Sequence, residues 1–234
     1  AKKDLFKHIY YLKRQPNAIP YITSFYEKRC GFCISYNEKI KFDKIYSLKD
    51  KFKVVINSNF KKKGTMEIGE VIIRGKSKKE IFFSTYICHP SMVNNELSGP
   101  VVSSALIKFL KENYKKTYYS YRFVFVSETI GSITYISKKI RQLKQNVIAG
   151  FTLSCLGDSN SYSQIHSRYE NTLADYSLES SLIGKRNVKF YNFLQRGSDE
   201  RQYCSPGVDL PVVGFCRSKY GTYAEYHSSK DDFK

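Results

Sequence analysis

The run Glu80-Ile81-Phe82-Phe83-Ser84-Thr85-Tyr86-Ile87, "EIFFSTYI", is apolar nearly throughout. A strand of that kind has no face to give to water, so it belongs in the middle of a sheet covered on both sides. After it, strand and helix patterns alternate. A helical pattern at 98–113 is followed by the strand "YRFVFVS", a helix at 131–144, the strand "VIAGFTLSC" and a helix at 173–184, then by strands at "VKFYNF" and "LPVVGFC". This alternation predicts an α/β domain: a mostly parallel central mixed sheet with helices on both faces. Just upstream, "MEIGEVIIRG" reads as the hairpin partner of "KEIFFSTYI" across "GKSKK".

The N-terminal part follows other rules. Leu5, Ile9 and Leu12 predict an amphipathic helix over 3–14, ended by "QPNAIP". From 34 to 65 the chain is polar and lysine-rich with one strand pattern, "FKVVINS", which reads as a small β insert. The expected organisation is an α/β domain formed by 1–33 and 66–234, interrupted by that insert. A chain of 234 residues is long enough for such a core.

The formal charge of +18 raises the question of a polyanionic partner. The lysines are scattered in short runs, such as "KKK" at 61–63 and "KSKK" at 76–79, which favours solvated faces over a nucleic-acid or anionic-glycan surface. No apolar run approaches the roughly 18 to 20 residues needed to cross a bilayer, and no signal-peptide pattern opens the sequence, so a cytoplasmic protein is expected. Cysteines stand at 30, 33, 88, 155, 204 and 216. The pair in "CGFC" has no second pair to complete a zinc knuckle, so it reads as two buried free thiols.

Open α/β sheets bind ligands beyond the carboxyl ends of their strands. His89 follows "FFSTYIC", Glu128 follows "RFVFVS", Asp158 follows "GFTLSC", and His227 stands in the final "EYHSSKDD". Each has an ordinary reading: a structural histidine, a helix-capping glutamate, an aspartate closing a turn. Their shared placement favours a zinc site of imidazole and carboxylate ligands.

The segments "HPSMVNNELSG", "SETIGSITYI", "RGSDERQYCSPGVDLP" and "YHSSKD" resemble, in that order, the blocks of the co-catalytic zinc aminopeptidases and their glutaminyl-cyclase relatives. The closest likeness is to a poorly characterised aminopeptidase-like branch. The resemblance implies one or two zinc ions, with ligand positions at His89, Asn95, Glu128, Asp158 and His227. It also implies a substrate pocket, for which Arg168, Asn171, Asp199, Glu200, Arg201, Tyr203 and Tyr226 are candidates. Two departures stand out. The bridging position carries the neutral Asn95 with Glu96 beside it, and the family's Glu-Glu pair is reduced to Ser127-Glu128. An amide lacks the charge that offsets repulsion between two dications, so either Glu96 replaces it as ligand, or only one metal binds tightly, or the site is degenerate. If Glu128 is a ligand, the general base is sought among Glu96, Asp199 and Glu200; if Glu128 is the base, one ligand is missing.

The implied function is hydrolysis of a peptide or amide bond in a small substrate, most simply as an aminopeptidase. The alternatives are an amidase, deacylase or cyclase acting on a small or sugar-linked metabolite, and an inactive binding module with a basic surface.

Overall fold

Residues 1–23, 29–59 and 61–233 are described by the computed structural model, and they fall into two units, Ala1–Gly64 with Glu225–Asp231, and Thr65–Ala224 with Asp232–Lys234. In the first unit, α1 (Lys2–Leu5) passes through a tight turn at Phe6–His8 into β1 (Ile9–Tyr10), which pairs in parallel with β2 (Phe32–Cys33). The helix expected over 3–14 therefore breaks after one turn. Ladder partners for Ile9 and Tyr10 outweigh a weak local helix preference.

Helix α2 (Tyr36–Ile45) begins at Ser35, whose Oγ accepts the Glu38 N–H at 3.2 Å while the Glu38 carboxylate accepts the Ser35 N–H at 2.8 Å. This reciprocal cap satisfies donors that a helix start leaves open. At the other end, the buried Lys2 ammonium donates to the Asp43 carbonyl at 3.1 Å and to that of Tyr46. Where a β insert was expected over 34–65, the described residues hold one helix, Tyr36–Ile45, and no strand. The "FKVVINS" run forms no strand, and Val54, Val55 and Ile56 remain 47%, 68% and 50% exposed. Strand propensity needs a pairing neighbour to be realised. In "CGFC" both thiols are free, but Cys30 is exposed and Cys33 half-buried, a correction to the expectation of two buried cysteines.

The second unit contains β3 (Gly69–Ile73), β4 (Glu80–Tyr86), α3 (Ser98–Asn113), β5 (Ser120–Val126), α4 (Ile130–Asn146), β6 (Val147–Leu153), β7 (Tyr162–Ile165), α5 (Leu173–Leu182), β8 (Val188–Tyr191), α6 (Glu200–Tyr203) and β9 (Val212–Cys216). Its seven strands lie in the order β3-β5-β4-β6-β9-β7-β8. Strand β3 is antiparallel to β5 and β7 to β9, while the other neighbours are parallel. The expected mixed, mostly parallel sheet is what forms.

The expected β3–β4 hairpin does not form, because β5 lies between the two. Arg122 of β5 explains the arrangement: it reaches Glu80 on β4 at 2.7 and 2.8 Å and Glu70 on β3 at 2.5 Å. A buried guanidinium requires anions beside it, and one strand on each side supplies them.

Register at the centre is set by an aromatic row. Phe83 stacks on Phe123 of β5 at 4.9 Å and on Phe151 of β6 at 5.4 Å, each its direct cross-strand partner. Phe82, Val124, Val126 and Val212 pack against Tyr135, Ile136 and Leu143 of α4 and Tyr203 of α6. Ala149 and Val213 pack against Ala174, Leu178 and Leu182 of α5. Helix α3 runs along β4 and β6, and Gly99 permits its start to press close: a Cβ there would lie 2.2 Å from Thr85 Oγ1. Among the described residues, no helix is long and apolar enough to cross a membrane.

Candidate metal centre

Tyr86 at the end of β4 is level with Val126 at the end of β5, and one more ladder bond, Ile87 N–H to the Val126 carbonyl at 2.7 Å, carries the pairing onward. The next residues, Cys88 and His89, therefore emerge beside Ser127 and Glu128. Helix α3 is preceded by a wide π-type turn, Val93–Leu97, that turns Glu96 back toward them. The Glu96 carboxylate accepts the backbone N–H groups of both Cys88 and His89. Its Oε2 also lies 2.9 Å from His89 Nδ1. The acid next to the expected bridge thus serves as a brace for the loop that carries the histidine.

Glu128 is presented by an unusual turn. Thr129 has φ 63° and ψ −67°, and the Ile130 N–H donates to the Glu128 carbonyl at 2.7 Å. This is a γ-turn in its strained, positive-φ form, and a β-branched residue at its centre raises the cost. Asp199 holds it in place: Oδ1 accepts the Thr129 N–H at 2.8 Å and the Ser132 hydroxyl at 2.8 Å. Ser198 donates to Glu128 Oε1 at 2.6 Å, leaving Oε2 3.6 Å from His89 Nε2. The Glu128 N–H points at Cys88 Sγ, 3.3 Å away, and that sulfur lies 3.1 Å from His89 Nδ1.

One ligand atom from each of Cys88, His89 and Glu128 falls within 4.8 Å of the others, the one such group among the described residues. Ligands 2.0–2.3 Å from a tetrahedral ion stand about 3.3–3.7 Å apart, so a set spaced by up to 4.8 Å would have to draw together to hold one ion, and His89 Nδ1 already faces both Cys88 Sγ and Glu96 Oε2. Electrostatics favour a cation there. Burial alone lowers the His89 pKa, yet the bonds to Cys88 and Glu96 and the nearby Glu128 raise it to about 10. A proton is thus held where acidic groups crowd, which is the environment a cation takes over. Burial raises the Glu128 pKa, and the Ser198 bond and His89 oppose the rise.

The other predicted residues are distributed as follows. Asn95 is buried and donates from Nδ2 to the Tyr86 hydroxyl at 3.0 Å and toward Cys155 Sγ at 3.5 Å. Asp158 accepts from Asn94 Nδ2 at 3.2 Å, from Ser218 at 2.9 Å to each oxygen, and from the Asn160 N–H at 2.9 Å. Glu200 accepts the Gly197 and Ser198 N–H groups at 3.1 Å each, and the Tyr220 hydroxyl. Asp199 is buried with Oδ2 unpartnered, and burial raises its pKa to about 7, with Glu128 and Glu200 adding to the rise.

Tyr203 lies in the core with its hydroxyl 2.8 Å from Ser84 Oγ, and exposed Arg201 acts on Glu128 only through its charge. Arg168 pairs with Asp209 at 2.7 Å, and Asn171 is exposed before α5. His227 and Tyr226 belong to the first unit, where their rings stack at 3.9 Å and the His227 carbonyl accepts the Tyr21 N–H. Sequence reasoning missed Cys88 as a donor; the available signal was a thiol directly preceding a strand-end histidine.

A mixed sheet of this order, with donor groups gathered past the carboxyl ends of its central strands, defines an aminopeptidase-like α/β fold. The chain belongs to the family described as a domain of unknown function, DUF4910, which matches residues 16–234. It is 37% identical over 230 residues to a Clostridium acetobutylicum protein provisionally described as a polysaccharide biosynthesis protein with an aminopeptidase-like domain, covering 98% of this chain and 51% of that one. A crystal structure from the same organism, of a protein provisionally termed a peptidase, superposes with a TM-score of 0.87 at 36% identity, covering 98% of this chain and 52% of the other. The chain thus spans about half the length of these relatives. A zinc aminopeptidase from Bacillus subtilis shares the fold, with a TM-score of 0.54 at 16% identity over 70% of this chain and 43% of that one.

Proposed function

We propose that the chain is a metal-dependent hydrolase of peptide or amide bonds, aminopeptidase-like in its chemistry. The observation that carries this reading is the Cys88, His89 and Glu128 donor group at the carboxyl ends of β4 and β5. Zinc bound by such a set polarises a carbonyl and lowers the pKa of water toward about 7. In this reading Glu128 holds the ion, Glu96 orients His89, and Ser198 orients Glu128. Among the acids expected as base, Glu96 and Glu200 already accept backbone N–H groups, whereas Asp199 keeps an unpartnered oxygen and a pKa near neutrality. Asp199 is therefore the acid left to take up a proton.

The test is a panel of aminoacyl chromogenic substrates assayed with zinc, then with EDTA, then with zinc restored. Turnover that follows the metal supports the reading, and absence of turnover across the panel counts against a peptide substrate. A second reading, an amide on a sugar-linked metabolite, draws support from the description of the Clostridium relative as a polysaccharide biosynthesis protein. N-acylated amino sugars in the same panel separate the two.

A further inference from the structure

We infer that Glu200 and Tyr220 form a brace that sets the position of Glu128, acting through Ser198 and Asp199 as positioning residues for the site. The inference rests on the metal-dependent reading above for its chemical consequence, while its geometry concerns the chain alone.

Among the residues expected at the substrate pocket or as the base, Glu200 turns its carboxylate back on its own loop. Oε1 accepts the N–H groups of Gly197 and Ser198 at 3.1 Å each, together with the Tyr220 hydroxyl, and Oε2 accepts from Thr152 Oγ1 at 3.4 Å. Two successive N–H groups closing on one oxygen form a small anion-holding nest. Tyr220 completes it from outside the loop, from the segment that follows β9. Its oxygen accepts the Gly197 N–H at 2.6 Å while its hydrogen goes to Glu200. Burial, together with the nearby Glu200 carboxylate, holds the phenol well above its ordinary pKa, so it keeps the proton it donates. Gly197 admits the ring: a Cβ there would stand 2.9 Å from Tyr220 Cε2.

The two residues between Gly197 and Glu200 are the two that reach the Glu128 turn. Ser198 donates to Glu128 Oε1 at 2.6 Å, and Asp199 Oδ1 accepts the Thr129 N–H and the Ser132 hydroxyl at 2.8 Å each. Thr129 carries positive φ, a conformation that persists only where its surroundings over-determine it. Holding residues 197 and 200 holds 198 and 199 between them, so the brace decides where both contacts fall. Carboxylates that hold a metal depend on such outer partners for their orientation.

Amide hydrogen exchange on the full chain in EDTA tests this without zinc or turnover, because it reads local opening residue by residue. Tyr220→Phe keeps the ring and removes the hydroxyl. Exchange at Gly197, Ser198 and Thr129 should speed up by about 10-fold, the factor that a hydrogen bond to a charged acceptor represents, while the amides of β4 and β5 stay as they are. Gly197→Ala displaces the ring instead, and it should speed exchange at Ser198 and Thr129 alike. Thr129 is the deciding amide, since its hydrogen bond is to Asp199 and to neither brace residue. Calorimetry then reads the consequence: zinc affinity should fall by roughly 10–100-fold in Tyr220→Phe. Faster exchange confined to Gly197 and Ser198, or spread evenly through the sheet, overturns the inference. So does a zinc affinity unchanged in Tyr220→Phe but lowered in Ser198→Ala. The expected exchange pattern in a chain that binds no zinc supports the brace and removes the metal-dependent reading instead.

Discussion

Glu80 and Arg122 meet in a bidentate ion pair between adjacent parallel strands, with Nε to Oε2 at 2.7 Å, Nη2 to Oε1 at 2.8 Å and both side chains 0% exposed. Removing one partner strands a charge in the sheet. Glu80→Gln or Arg122→Met should each cost about 3–5 kcal/mol in urea unfolding. The paired replacement Glu80→Leu with Arg122→Leu should recover part of that loss, since the fully buried pair is gone while the partly exposed Glu70 is left without Arg122. A double variant no more stable than either single one would show that the fold needs the pair itself.

Ser198 holds Glu128 by one short hydrogen bond. Ser198→Ala should lower zinc affinity by roughly 10–100-fold, as loss of an orienting contact does. Calorimetric titration reads the affinity, and a thermal melt of the metal-free protein should show a change of only about 1 kcal/mol. Unchanged zinc affinity would remove Glu128 from the proposed ligand set.

Asp199 gives stability a defined pH dependence. Its carboxyl has a pKa of about 7 in the folded chain against 3.8 for the ordinary group, so between those values the folded state holds a proton that the unfolded state has released. Stability from this group is therefore full below about pH 4, falls as pH rises, and reaches its minimum above pH 7. Asp199→Asn keeps an oxygen for Thr129 and Ser132 and carries no charge. In EDTA it should be more stable than the parent at pH 8, by an amount on the order of a few kcal/mol, and the two should converge near pH 4. A constant difference across that range would refute the assignment.

Thr129 bears positive φ with a branched side chain. Thr129→Gly relieves strain of order 1–3 kcal/mol and adds about 0.4–1 kcal/mol of unfolded-state entropy. The net expectation is a small gain in melting temperature, accompanied by weaker zinc binding as Glu128 is held less tightly. A clear loss of stability would mean that the Thr129 side chain has a packing role that outweighs the strain.

Strands β4, β5 and β6 were readable because their apolar runs admit no exposed placement. Strand β7 was not. Its buried residues include Ser163 and Gln164, whose hydroxyl and amide nitrogen donate to the Arg217 and Asp175 carbonyls, so the polar/apolar alternation that marks a strand is absent. The β3–β4 pairing was misread because proximity in sequence suggested a hairpin, while the deciding residue, Arg122, lies some fifty positions from Glu70. At the site, His89 and Glu128 could be found from strand ends. Cys88 could not be distinguished from the other cysteines by spacing, and the role of Glu96 depended on a π-type turn that no sequence pattern announced.

The loop from Cys88 to Glu96 contains two of the three proposed donors and also the carboxylate that clasps their backbone. Its geometry is thus largely self-contained within nine consecutive residues. The backbone that presents Cys88 and His89 is fixed by an acid of its own loop, whereas Glu128 arrives from the end of β5 and owes its placement to distant residues, Ser198 and Asp199.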